Sequence, residues 1–202
     1  MPHRRHTITV GTSALFFVCL VLNAQTNLYA QAFLAYNNPE AYTVYDSILP
    51  TDWTVTAAHA RRLLIQVQTS SPIFRLKPAP ESAALLQPLF DSFVTLNKAP
   101  WLLQPNFRRS SSYEFASRED LQASFKPSGT GWEGFAERYP HSAHSYITLS
   151  PVAFNAHKTI AVVYMDHSCG SLCGGGTFYV LEKKDGIWRN MRWRGTSRAW
   201  AS

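Results

Sequence analysis

Thr159-Ile160-Ala161-Val162-Val163-Tyr164-Met165, followed after a cysteine- and glycine-rich interval by Thr177-Phe178-Tyr179-Val180-Leu181-Glu182, is the stretch from which the fold is read. Both runs are short, rich in β-branched and aromatic residues and bounded by turn-forming residues, so each reads as a buried strand. The interval is Asp166-His167-Ser168-Cys169-Gly170-Ser171-Leu172-Cys173-Gly174-Gly175-Gly176. Outward from this pair, Tyr146 to Phe154 and Ile187 to Trp193 are further strands, joined by the turns Asn155-Ala156-His157-Lys158 and Lys184-Asp185-Gly186. Consecutive strands with short links predict an antiparallel meander.

The N-terminal half carries helical periodicity instead. Asn38-Pro39-Glu40 has the composition of a helix start, with Asn38 as the expected side-chain cap. Ala41, Val44, Tyr45, Ile48 and Leu49 follow at helical spacing up to Pro50. A strand is expected from Arg61 to Thr69. A second helix is expected from about Ser82 to Leu96, either kinked at Pro88 or starting there. The interval 97–128 has little periodicity and reads as packed loop around Trp101 and Phe107, with a short strand at Ser112 to Ala116. Ser117-Arg118-Glu119-Asp120 is a capped helix start and Ser128-Gly129-Thr130-Gly131 a turn. Trp132, Phe135, Ala136 and Tyr139 form one face of a short helix ended by Pro140. The expected class is α+β, with N-terminal helices packed on one face of a C-terminal four- to five-stranded antiparallel meander.

The first 32 residues read as a secretory signal peptide. They contain a basic start at Arg4 and Arg5, an apolar core from Ala14 to Leu22, and candidate cleavage positions after Ala24, Ala30 and Ala32. No later segment reaches about 18 uninterrupted apolar residues, so no transmembrane segment is expected after cleavage. The remaining 33–202 suit a single domain. The formal charge of +6 falls to +4 there, because Arg4 and Arg5 leave and no acid does. That excess is too mild to imply nucleic acid. Secreted or periplasmic location puts Cys169 and Cys173 in an oxidising compartment.

The pattern Leu149-Ser150…Val152, Cys169-Gly170…Leu172-Cys173-Gly174, Leu181-Glu182-Lys183, Gly186…Trp188 and Trp200…Ser202 resembles a family of uncharacterised secreted bacterial proteins. Trp132…Phe135…Tyr139-Pro140 and Tyr42…Tyr45 fit the same pattern. The resemblance implies a shared fold and location and no assigned activity. The chain departs from the pattern at Ala143-His144, where a glycine is expected, and at Arg192-Trp193-Arg194.

Two stretches are candidates for function. His167 to Gly176 reads as a ten-residue link, long for a hairpin. A Cys169–Cys173 disulfide would close a small ring worth about 2 kcal/mol by loop entropy. A redox pair prefers two intervening residues and a helix N-terminus, which this spacing lacks. A metal set drawn from His167, Cys169 and Cys173 matches no established zinc spacing, and no cofactor is expected. The amides of Gly174, Gly175 and Gly176 could instead form an anion-binding nest. The second stretch is the C-terminal strand, where Arg192, Trp193 and Arg194 interleave charge with an aromatic surface suited to stacking on sugars. The alternative for it is a sheet edge whose tryptophans pack under the helices. Asp166 and His167 alternate to opposite faces, and Ser168 and Ser171 have no evident base.

These features favour a non-enzymatic binding or structural module of the cell envelope, with a glycan or anionic envelope polymer as partner and no nucleic acid. The competing class is a small secreted hydrolase or metal-dependent enzyme using the His167–Gly176 loop. The disulfide is tested by mass: the native secreted chain is expected to be two hydrogens lighter than its reduced form, whereas two freely alkylated thiols would refute the bridge.

Overall fold

The computed structural model describes residues 33–49, 62–70, 72, 76–108, 112–125, 131–142, 144–170, 173–193, 195–196 and 200–201. The N-terminal signal pattern, most of the 128–131 turn, Arg61 and Arg194 lie outside them.

The two runs that open the sequence reading pair with each other. Strand β8 (Ile160–Cys169) and strand β9 (Gly174–Lys184) form an antiparallel hairpin in continuous register from Ile160↔Glu182 to Ser168↔Gly174. β10 (Ile187–Asn190) follows through Asp185 and Gly186, both at positive φ (52° and 78°), as a tight hairpin of the twisted-sheet type requires. On the other side, β6 (Ser145–Leu149) pairs antiparallel with β8. To this point the order and direction of the strands are as the sequence predicts, except that the expected strand from Tyr146 to Phe154 ends at Leu149.

The sheet then departs from it. β2 (Arg62–Gln66) lies parallel to β6, and β5 (Ser112–Ala116) lies parallel to β2. The path β10-β9-β8-β6-β2-β5, with β7 (Ala153–Phe154) on β8 and β12 (Trp200–Ala201) on β9, makes an eight-stranded mixed sheet. The purely antiparallel meander is therefore corrected. Parallel neighbours need crossover connections rather than hairpins, and the chain supplies them with helices. α2 (Pro80–Leu96) lies in the crossover from β2 to β5. α3 (Arg118–Ser124) and α4 (Trp132–Arg138) lie in the crossover from β5 to β6. Hence the helices are not all N-terminal. Short pairs β1 (Ala35–Tyr36) with β4 (Leu102–Leu103), and β3 (Lys77–Pro78) with β11 (Gly195–Thr196), stand apart from the main sheet.

The helices also cover both faces of the sheet, correcting the one-sided expectation. Ala161, Val162, Val163 and Tyr164 are consecutive and all buried, so both surfaces of β8 need cover. One surface packs Ala161, Val163, Leu149, Ile65 and Leu181 against α1 (Pro39–Ile48), through Ala41, Tyr42, Val44 and Tyr45. The opposite surface packs Val162, Tyr164, Phe178 and Val180 against Leu86, Leu89, Phe90 and Phe93 of α2. Beside α2, the α3–α4 pair covers Leu64 and Ala116 with Leu121, Phe135 and Tyr139.

Several local expectations are met with changed detail. α1 begins at Pro39, but Asn38 makes no side-chain cap. Its first turn is held instead by Glu40, which accepts from Lys183 Nζ (2.7 Å) and Trp188 Nε1 (2.9 Å). Burial pushes the Glu40 carboxyl up, but those two hydrogen bonds and the Lys183 charge outweigh it and hold the group below its usual range. Ser117 does cap α3, accepting from the Asp120 amide at 2.9 Å. α2 runs through Pro88 and starts at Pro80, a first-turn position where the missing N–H costs nothing. Among the described residues no helix is long and apolar enough to cross a membrane.

The face of α2 sets a stability test. Leu86 is fully buried against the sheet, while its neighbour Leu85 is half exposed. Leu86→Ala is expected to cost about 2–5 kcal/mol and Leu85→Ala less than about 0.5 kcal/mol, read from urea denaturation midpoints. Equal costs would refute this packing.

Candidate functional site

The paired strands extend farther into the glycine-rich interval than its composition implies. β8 runs through His167, Ser168 and Cys169, and β9 begins at Gly174, so the link contracts to 170–173. Cys169 and Cys173 are disulfide-bonded, and the Cys169 amide donates to the Cys173 carbonyl at 2.8 Å. Gly170 takes φ 75°, a left-handed conformation that closes the ring.

Gly174, Gly175 and Gly176 are strand residues. Each pairs with β8, opposite Ser168, His167 and Asp166, and Gly175 and Gly176 also pair with Ala201 and Trp200 of β12. Amides in an extended strand alternate towards its two neighbours, whereas a nest turns successive amides to one side. The ladder therefore replaces the anion nest. With both sulfurs joined to each other, no thiolate remains beside His167 to ligate a metal. Asp166 and His167 do fall on opposite faces: Asp166 is level with Thr148 and Gly176, His167 with Ile147 and Gly175.

The arginine–tryptophan stretch is also tied into the fold. β10 ends at Asn190, short of the expected Trp193, after which the Met191 amide bonds β9 at the Val180 carbonyl. Trp188 is buried with Phe154 in the α1 layer. Trp193 packs edge-to-face on Phe90 of α2 at 5.4 Å. Arg192 is exposed. Thus the two described tryptophans of this stretch pack under helices, as the edge-strand alternative has it.

A second polar region was not singled out from sequence. On the α2–α4 face, a row crosses the sheet at one level: Ala116 of β5, Gln66 of β2, Thr148 of β6, Asp166 of β8 and Gly176 of β9. The row lies where the apolar cover of α2 gives way to that of α3 and α4. A cleft of ≈ 180 Å³ opens beside it, lined by Gln66, Arg118, Leu121, Gln122, Phe125 and Tyr146. Gln66 is 6 % exposed. Its amide nitrogen donates to Gln68 O at 2.7 Å, and its amide oxygen accepts from none of the described residues.

Arg118 is placed by its own backbone: its amide donates to Gln68 Oε1 at 2.7 Å, and Gln68 Nε2 donates to Glu119 Oε2 at 3.0 Å. Its guanidinium reaches the Thr69 carbonyl only at 3.5 Å and pairs with no carboxylate among the described residues. The Tyr146 ring is backed by Trp132, near-parallel at 6.4 Å, and by Phe135. The cleft thus joins a cation without a carboxylate partner among the described residues, a free amide oxygen and aromatic surface.

Farther along the row, Thr148 Oγ1 donates to Asp166 Oδ1 at 2.5 Å and lies 3.2 Å from Ser70 Oγ. Burial pushes the Asp166 carboxyl above its ordinary value of 3.8, opposed by the Thr148 hydrogen bond and the charge of His167. No cation is within ion-pair reach of it among the described residues. A larger groove of ≈ 620 Å³ runs between the C-terminal half of α2 and the 152–158 turn, floored by Val152, Ala153 and Phe154.

The sequence signal for the row was the polar alternation Gln66-Val67-Gln68 inside an otherwise apolar strand. Register alone brings it level with Thr148 and Asp166. No family model, curated protein or solved structure matches the chain.

A carboxyl raised in the fold penalises the folded state where it is ionised. Stability therefore falls as pH rises from the unfolded carboxyl value through the raised folded one, and the full penalty holds above it. Asp166→Asn is expected to raise the melting temperature at pH 7 by about 2–4 °C and to flatten that decline. Thermal melts from pH 4 to 8 check it, and a lower melting temperature at pH 7 would contradict the assignment.

Proposed function

We propose that this chain is an extracytoplasmic binding module for acidic saccharides, with its site in the cleft beneath α3. The observation that carries the reading is the Arg118 guanidinium, with no carboxylate partner among the described residues, sharing a cleft with the Gln66 amide oxygen, which accepts from none of them. A planar guanidinium suits a carboxylate, and a free amide oxygen suits a donor hydroxyl. The face of Tyr146 offers the apolar surface on which a sugar ring stacks. At ≈ 180 Å³ the cleft is smaller than a drug-sized pocket, which fits one ring of a chain rather than a long segment. The disulfide and the N-terminal signal pattern support a location outside the cytoplasm, where envelope and exterior glycans are met.

The test is calorimetric titration of the full chain with glucuronate- and galacturonate-containing oligosaccharides, against their neutral glucose and galactose counterparts. Acidic ligands are expected to bind and neutral ones to bind at least about 10-fold more weakly. Arg118→Ala is expected to lose about 10- to 100-fold in affinity. Indifference to ligand charge, or an Arg118→Ala chain that binds like the parent, would sink the reading.

A further inference from the structure

Three oxygens stand in line on the α2–α4 face, and their hydrogens can be assigned by elimination. An ionised Asp166 carboxylate can only accept, so the Thr148 hydroxyl donates its single hydrogen to Oδ1, at 2.5 Å. Thr148 Oγ1 then has no hydrogen left for Ser70, so at 3.2 Å the Ser70 hydroxyl is the donor. The chain of donation runs Ser70 to Thr148 to Asp166 and ends on a carboxylate that forms no salt bridge among the described residues, with the neighbouring His167 as its electrostatic partner. Thr148 is buried, whereas Ser70 and Asp166 at the two ends are half-buried. Ser70 is held independently by its backbone, whose amide donates to the Leu149 carbonyl at 2.9 Å, so its hydroxyl is presented from a fixed position.

We propose that Ser70, Thr148 and Asp166 form a serine nucleophile with a hydroxyl-relayed carboxylate base, competent for hydrolysis of small carboxylic esters. This stands on the relay and not on the saccharide cleft. In the first step Ser70 Oγ adds to the ester carbonyl carbon; its proton passes to Thr148 Oγ1, and the Thr148 proton passes to Asp166. The tetrahedral adduct collapses with cleavage of the bond to the alcohol oxygen, which takes a proton back from Asp166 through Thr148. A water then repeats the sequence on the acyl-Ser70 and releases the acid, so the enzyme returns unchanged and one ester and one water are consumed. Burial favours the chemistry, because a desolvated carboxylate with a raised pKa is a stronger base than an exposed one.

The experiment uses a fluorophosphonate probe and 4-nitrophenyl acetate on the full, disulfide-intact chain. The probe forms a Ser–O–P bond with loss of fluoride, and peptide mass spectrometry locates it. The expected results are one probe per chain on Ser70 and a nitrophenolate burst of about one equivalent, the signature of an acyl-enzyme. Ser70→Ala removes both while retaining the parent's near-ultraviolet circular dichroism. Thr148→Val and Asp166→Asn each slow labelling by about 100-fold or more, whereas Thr148→Ser, which keeps the hydroxyl, labels faster than Thr148→Val. An Asp166→Asn chain that melts higher yet labels slower separates loss of the base from loss of the fold. Failure to label Ser70 in the folded parent, or labelling unchanged by Thr148→Val, overturns the proposal. Ester turnover without uronate binding would refute the cleft reading alone, and uronate binding without labelling would refute the relay alone.

Discussion

The structure depends on one constraint: the central strand β8 is apolar on both sides. Four consecutive residues, Ala161 to Tyr164, are removed from water, and alternation sends two of them to each face. A sheet with such a strand at its centre needs cover above and below. α1 supplies one layer and α2 the other, each through aromatic and aliphatic side chains that reach β8 directly. The parallel strand β2 then widens the sheet beyond the reach of α2. The α3–α4 pair that carries the chain from β5 back to β6 covers the extension.

Two separate covers on one face leave a seam between them. In the seam lie side chains that neither apolar cluster absorbs: Gln66, Thr148 and Asp166, in one cross-strand row. Gln66 and Thr148 are buried and Asp166 half-buried, and each side chain is hydrogen-bonded, which is how a sheet tolerates polar groups near its core. Strand spacing of about 4.8 Å puts each within reach of the next. That spacing is why the carboxylate meets a threonine hydroxyl instead of a cation. The cleft follows from the same arrangement, because α3 starts at Ser117 and projects Arg118 back over the strand ends.

Elsewhere, chemistry-bearing residues are absorbed by architecture. Glu40 ties the first turn of α1 to Lys183 and Trp188, fastening that layer to the far edge of the sheet. Tyr36, Tyr42 and Tyr45 bury their rings together and spend their hydroxyls on backbone carbonyls of residues 152, 36 and 150. Burial pushes the Tyr36 hydroxyl up to about 12, so it stays protonated and donating at any ordinary pH. The disulfide closes the β8–β9 tip, and β12 returns to pair the glycines behind it.

The sequence by itself determined the local elements. Proline and glycine punctuation located α1, α2, α4 and the two hairpin turns, and alternation identified β8, β9 and β10, because these signals act over a few residues. With residues 1–32 read as signal only Cys169 and Cys173 remain, and an oxidising compartment lets such a pair bridge, as it does in the structure. The His167–Gly176 interval reads as loop in the sequence because glycine has weak strand preference of its own; pairing on both edges of β9 overrides it. The parallel placement of β2 could not be read, because nothing in Leu63-Leu64-Ile65 states which strand lies beside it. That partnership rests on contacts between residues some eighty positions apart, such as Ile65 with Ile147. The candidate site depends on the same contacts. Gln66, Arg118, Thr148 and Asp166 are separately ordinary residues, and only the register of a mixed sheet puts them on one face.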